Sequence, residues 1–304
     1  MTLAVADPAK SRYAANLTLL LLLATLWGAS YTFIKIGVAT IPPVTLIAAR
    51  TLIAGAVLLA IMAVRGIALP RDPALWRRFL VQACFNSVVP FTLIAWAESH
   101  VDAGLATILN SNAPIFTFLL ALVFLRHDPP TPRQLFGVVA GLAGICLVVG
   151  VNALAGLGQQ LVAQLALVAA AVSYGAAAIF GRNFNGLDPM VPAAGSMICG
   201  AVILLPISVI FEQPWTLQPS TASLLALVGL AVFSTAFAFV IYFRLIQTLG
   251  PVGTTAQAYL RVPIGVALSV VVLGETPSAT AWAGLACVII GIAAMTIPSR
   301  SRGG

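Results

Sequence analysis

Apolar side chains run through this chain in long blocks, and polar or helix-breaking residues gather in the short gaps between them. Ten blocks approach the ~20 residues that a helix needs to cross a bilayer. They are Leu17–Lys35, Pro43–Val64, Leu75–Ala97, Ala103–Leu125, Arg133–Val151, Gln159–Phe180, Met190–Phe211, Ala222–Ile246, Gly253–Leu273 and Ala279–Ile297. The gaps carry helix-ending chemistry: Ile41-Pro42-Pro43, Leu69-Pro70-Arg71-Asp72-Pro73, Pro129-Pro130-Thr131-Pro132, Gly186-Leu187-Asp188-Pro189, Gln213-Pro214, Leu249-Gly250-Pro251 and Thr276-Pro277. The pattern predicts an all-α integral membrane protein with ten transmembrane helices. None of the gaps is long enough for a soluble domain.

Composition sharpens this. Of 304 residues, 61% are hydrophobic and 8% charged, whereas a soluble domain carries roughly 25% charged residues. A water-soluble fold could not cover so much apolar surface, which excludes a cytosolic enzyme, a disordered chain and a secreted disulfide scaffold. Cys84, Cys146, Cys199 and Cys287 stand singly in apolar runs. Neither a disulfide framework nor a zinc site is indicated by that spacing, and no metal or cofactor is expected. The first block comes after Lys10 and Arg12 but lacks a small-x-small cleavage site, so it reads as a retained helix.

The net charge of +7 matters through its placement. With ten spans, Lys10, Arg12, Arg65, Arg71, Arg77, Arg78, Arg126, Arg133, Arg182, Arg244, Arg300 and Arg302 fall on one side, and Lys35 falls on the other. The positive-inside rule then puts both termini in the cytoplasm. Charges scattered over short loops do not make a nucleic-acid surface.

The halves 1–151 and 152–304 resemble each other. Trp27-Gly28-Ala29 aligns with Tyr174-Gly175-Ala176, Lys35 with Arg182, Pro42 with Pro189, and Gly55-Ala56-Val57 with Gly200-Ala201-Val202. Gly104 and Pro114 match Gly253 and Pro263, and Gly137/Gly144 match Gly284/Gly291. A repeat of five spans must sit upside down relative to its copy. Two inverted five-helix repeats around a central cavity are a transporter architecture that works by alternating access.

Polar residues inside spans mark the candidate site. Gln82, Asn86 and Pro90 share a face of the third span at α-helical spacing. Thr107, Asn110, Ser111 and Pro114 do so on the fourth, with Asn112 nearby, and Thr254, Gln257 and Arg261 on the ninth. Trp27 and Tyr31 lie a turn apart on the first span, and Tyr174 answers from the sixth. Tyr242 and Trp96 suit either the cavity or an interfacial belt. The expected substrate-binding set is therefore Trp27, Tyr31, Asn86, Asn110, Asn112, Tyr174, Tyr242, Gln257 and Arg261. Arg261 lies about 12 Å into its helix and either draws a substrate carboxylate or snorkels to the headgroups. Arg50 is expected to pair with Glu98 in a structural or gating role, with Pro90, Pro114 and Pro263 as kinks or hinges.

This set, with Trp27-Gly28, Arg50, Pro114, Pro263 and Gly274-Glu275-x-Pro277 in order over the whole chain, resembles the EamA branch of the drug/metabolite transporter superfamily. Within it the chain is most similar to the YddG-like aromatic amino acid exporters. Arg126-His127 departs from the acidic motif at the matching place in the first half. The resemblance implies a bacterial inner-membrane carrier exporting amino acids or related small metabolites. No carboxylate lies mid-span, which favours facilitated over proton-coupled flux. The alternative is a proton-coupled multidrug efflux transporter. A lipid-modifying enzyme would need a catalytic cluster that no motif supplies, and a channel would need a filter or a ring of charges. The expected partners are a small-molecule substrate and membrane lipid, with a monomer favoured.

Overall fold

The computed structural model describes residues 8–97, 100, 109–125, 129–150, 157–261, 263–264 and 278–297. Glu98 and the Gly274-Glu275-x-Pro277 motif lie outside the described residues, as do parts of the fourth and ninth blocks. Among the described residues the fold is helical, without strands. The helices are α1 (Pro8–Gly37), α2 (Pro43–Val64), α3 (Pro73–Ala83), α4 (Val89–Ala97), α5 (Ala113–Phe124), α6 (Pro132–Val149), α7 (Leu161–Phe180), α8 (Met190–Phe211), α9 (Thr221–Ala231), α10 (Ala238–Thr255) and α11 (Ala279–Thr296). Among the described residues, six stretches are long and apolar enough to cross a membrane: Arg12–Ser30, Pro43–Val64, Leu161–Phe184, Met190–Phe211, Thr221–Thr255 and Ala279–Thr296. The shorter apolar helices Ala113–Phe124 and Pro132–Val148 accompany them.

Helix starts fall where the proline-rich gaps predict them. Asp72 accepts the Ala74 N–H at 2.9 Å ahead of α3. Thr131 and Gln134 form a reciprocal capping box ahead of α6, with Pro132 in the first turn. Ser220 and Ser278 cap α9 and α11. At α2 the local residues Pro42 and Pro43 offer no side-chain cap. Glu212, at the far end of α8, caps it instead: its carboxylate accepts from Val44 N–H (3.1 Å), Thr45 N–H (2.6 Å) and the Thr45 hydroxyl (2.7 Å).

Two rods contain a π-turn. Cys84–Val88 joins α3 to α4, and Val232–Phe237 joins α9 to α10. In the first, the Val89 N–H reaches back to the Cys84 carbonyl, and Pro90 comes next with no N–H to give. In the second, the Thr235 hydroxyl donates to the Leu230 carbonyl at 2.8 Å. Pro114 was expected to kink the fourth span from within. It sits instead in the first turn of α5, because the chain has already turned at Ser111–Asn112. Gly250, at φ 71° and ψ 176°, breaks α10 where Leu249-Gly250-Pro251 predicts a gap.

Helices from the first part of the chain pack antiparallel on helices from the second. On α2 and α8, Gly55 meets Met197 and Ile198 while Gly200 meets Thr51. A seam of close backbone approach joins α6 and α11. A Cβ on Gly137 would lie 2.6 Å from the Gly291 carbonyl oxygen, and one on Gly291 equally close to that of Gly137; Gly144 and Gly284 repeat this reciprocity. With no hydrophobic drive between helices in lipid, such close backbone approach is a main source of association. Gly144→Ala or Gly284→Ala is therefore expected to cost about 1–3 kcal/mol, read as a fall of several degrees in the melting midpoint of the detergent-solubilised protein. Gly28→Ala, whose Cβ would meet nothing within 4 Å, should not lower the midpoint.

Candidate functional site

A cavity opens between these helices, lined by residues of both parts of the chain. α1 turns Trp27, Ser30 and Ile34 toward it, three and four residues apart on one face. α2 contributes Leu46, Ile47 and Arg50; the first π-turn and α4 contribute Asn86, Phe91 and Ile94. Asn110 and Ala113 flank the turn before α5, and Tyr174 and Ala177 come from α7. Phe239, Tyr242 and Thr255 of α10 and the helical piece at 257–261, with Gln257, Ala258 and Arg261, complete it.

One wall is aromatic. Trp27 lies 5.7 Å from Phe239 and 5.6 Å from Tyr242 between ring centroids, and Phe239 lies 5.9 Å from Tyr242. Phe91 and Tyr174 meet edge-on at 6.5 Å. Tyr242 is buried, so of its two expected roles the structure gives it the cavity. Trp96 is 44% exposed, with its ring 4.7 Å from that of His100, which matches the interfacial belt.

The polar groups are few and placed. The Arg261 guanidinium donates to Gln257 Oε1 from Nε (3.2 Å) and Nη2 (3.0 Å) and sits 5.6 Å from the Trp27 ring centroid. The Arg261 guanidinium thus lies on the cavity lining beside the aromatic wall. Arg50, 2% exposed, donates from Nε to Thr235 Oγ1 (2.6 Å) and from Nη2 to the Ser234 carbonyl (3.4 Å), and stacks 4.2 Å over Phe91. Its described partners are therefore in the second π-turn and on α4. The lining contains no carboxylate among the described residues.

Not every expected residue arrives. Asn112 donates to the Leu109 carbonyl at 3.0 Å and closes the turn before α5, outside the lining. Gln82 is fully buried and donates to the Ala177 carbonyl at 3.2 Å, an interhelical bond. Tyr31 is one turn beyond Trp27 on α1, and its side chain lies outside what is described. Pro90 is buried in the first turn of α4, and Pro263 lies in a helical pair at 263–264. Glu98 is outside the described residues.

Phe91, Phe239, Ser30 and Thr255 join the lining although their spacing in the sequence does not single them out. Regular α-spacing pairs Asn86 with Pro90, but a π-turn inserts one residue and rotates the positions beyond it, so Asn86 shares the cavity with Phe91. For Phe239 the available signal is its spacing of three from Tyr242. Tyr259 is a further residue that sequence reasoning misses. It is fully buried, donates to the Val138 carbonyl at 3.0 Å, and occupies the space that Gly141 leaves by lacking a Cβ. This anchors the 257–261 piece to α6 while Gln257 and Arg261 face the cavity.

The description of the EamA-like transporter family matches residues 15–150 and again 161–297, and the chain belongs to that family. The chain is 28% identical over 274 residues to the uncharacterized inner membrane transporter YedA of Escherichia coli (strain K12), covering 90% of this chain and 87% of that one. It is 28% identical over 286 residues to the "Probable terminal-alkyne amino-acid exporter" of Streptantibioticus cattleyicolor, covering 93% of each. A solved crystal structure at 22% identity superposes with a TM-score of 0.76 over 93% of this chain and 97% of its own, so the fold is shared. The protein is a multi-pass inner-membrane transporter of the drug/metabolite class.

The cavity can be mapped chemically. In a background with the four native cysteines replaced, Ser30→Cys is expected to react with a water-soluble methanethiosulfonate reagent. Gln82→Cys, sealed against Ala177, should stay unlabelled until the protein is denatured.

Proposed function

We propose that this transporter is a secondary carrier exporting amino acids with aromatic or large apolar side chains, and related small metabolites. Transport proceeds by alternating access of two inverted five-helix repeats, residues 1–151 and 152–304, with both termini cytoplasmic. The observation that carries the substrate reading is the wall of Trp27, Phe239 and Tyr242 facing a few fixed polar groups. Rings of this kind hold flat or branched apolar bodies through stacking and burial without demanding one hydrogen-bond pattern.

Several features support the repeat. The family description matches twice in succession. The two π-turns fall at corresponding places, in the rods that precede α5 and the 257–261 piece. The glycine seams on α6/α11 and α2/α8 run antiparallel and reciprocally. The relative whose name includes amino-acid export supports the substrate class.

Facilitated flux is the coupling we propose. The described acids, Asp72, Asp188 and Glu212, serve at helix ends, where they accept backbone N–H groups. A proton-coupled carrier needs a titratable group near its site.

Counterflow in proteoliposomes tests both parts. Labelled phenylalanine should exchange saturably with unlabelled phenylalanine and remain chemically unchanged. Trp27→Ala should weaken apparent affinity about tenfold, or ~1.4 kcal/mol. At clamped membrane potential an imposed pH gradient should leave the rate unchanged. Acceleration by the gradient would establish proton coupling instead, and failure of all amino acids to exchange would remove the substrate class.

A further inference from the structure

The described lining of the cavity holds two guanidinium groups, those of Arg50 and Arg261. They are not equivalent. Arg261 shares its charge with Gln257 Oε1 through two bonds from one helical turn. Arg50 is set into the protein, 2% exposed, and its contacts are a hydroxyl, a backbone carbonyl and the face of Phe91. All of these are neutral. A guanidinium offers five N–H donors in a rigid fork, and no described residue accepts from Nη1 of Arg50. A buried charge left without a counter-charge is costly, and the cavity is the open side from which one can come.

Asn86 supplies the second, independent observation. It is 2% exposed in the first π-turn and lines the same cavity. Its Oδ1 accepts the Ser87 hydroxyl at 2.7 Å, while its buried Nδ2 has no acceptor among the described residues. With the amide oxygen turned to that hydroxyl, the donating end is the one left over. A buried amide nitrogen without a partner is uncommon in native proteins and points to an occupant.

We infer that Arg50 and Asn86 form the polar pole of the site and receive a carboxylate. The substrate class is then carboxylates bearing an aromatic or branched apolar body, amino acids being one case. Recognition of this kind engages the carboxylate and does not itself call for an ammonium group. This rests on the proposed reading of the cavity as the substrate's compartment. The fork of Arg50 suits the two oxygens of a carboxylate, whose bonds to it are charge-assisted on both sides. The aromatic wall takes the rest of the molecule.

Binding to the purified protein tests this without transport, using 3-phenylpropionate, 3-phenylpropionamide and phenethylamine as probes in titration calorimetry. The acid is expected to bind about tenfold or more tightly than the amide or the amine. Arg50→Gln should bring acid and amide to near-equal affinity, Arg50→Lys should keep part of the preference, and Asn86→Leu should narrow it. Equal binding of amide and acid by the unaltered protein would overturn the inference whatever the variants do. So would an undiminished preference in a folded Arg50→Gln, or no binding of any probe. Amino-acid counterflow that persists alongside such a result would leave the transport reading standing while removing this one.

Discussion

A polar group inside a bilayer has no water to turn to, and every backbone or side-chain donor must find its partner within the protein or on a cavity wall. That constraint explains where this fold departs from regular helix. The first π-turn presents Asn86 to the cavity, and the second holds Arg50 through Ser234 and Thr235. The turn at Ser111–Asn112 separates Asn110 from Ala113, both on the lining, and the turn at Ala256 separates Thr255 from Gln257. Apart from the break at Gly250, these departures line or brace the hollow. On the outward faces the helices run unbroken and expose side chains such as Leu122, Val123, Val162 and Val202.

The same constraint ties the two parts of the chain together. Arg50 belongs to α2 and its oxygen partners to the second π-turn, while Glu212 at the end of α8 caps α2. Neither bond can persist if these helices part, so α2 is held at its start and in its middle by the second half of the chain. The glycine seam of α6 and α11 adds close backbone contact elsewhere. A carrier that rocks must keep some contacts and exchange others, and the bonds of Arg50, being inside the cavity, are the ones an occupant could rearrange.

Much of this is legible in the amino-acid sequence, since the block length of apolar runs and the proline-rich gaps are direct consequences of bilayer thickness and backbone chemistry. Trp27, Asn86, Asn110, Tyr174, Tyr242, Gln257 and Arg261 lie on the lining; for Trp27, Tyr174 and Tyr242 regular helix spacing accounts for it, whereas Asn86, Asn110 and Gln257 sit in or beside a turn. That spacing misleads wherever the helix slips. Phe91 is hidden because a π-turn shifts the register by one residue, and Asn112 is misplaced because the chain turns beside it. Arg50 has a hydroxyl, a carbonyl and a ring as its described partners, while Glu98, its expected partner, lies outside the described residues. Glu212 looks like a loop residue because its targets lie more than 160 residues away in sequence. Such long-range pairings leave no local signature.

The most direct measurement is an experimental structure of the protein with phenylalanine bound. The account places the ring against Trp27, Phe239 and Tyr242, with the carboxylate within hydrogen-bonding distance of Arg50 and the Asn86 amide nitrogen. Ligand density outside this cavity, or a bound molecule whose carboxylate faces away from Arg50, would contradict it.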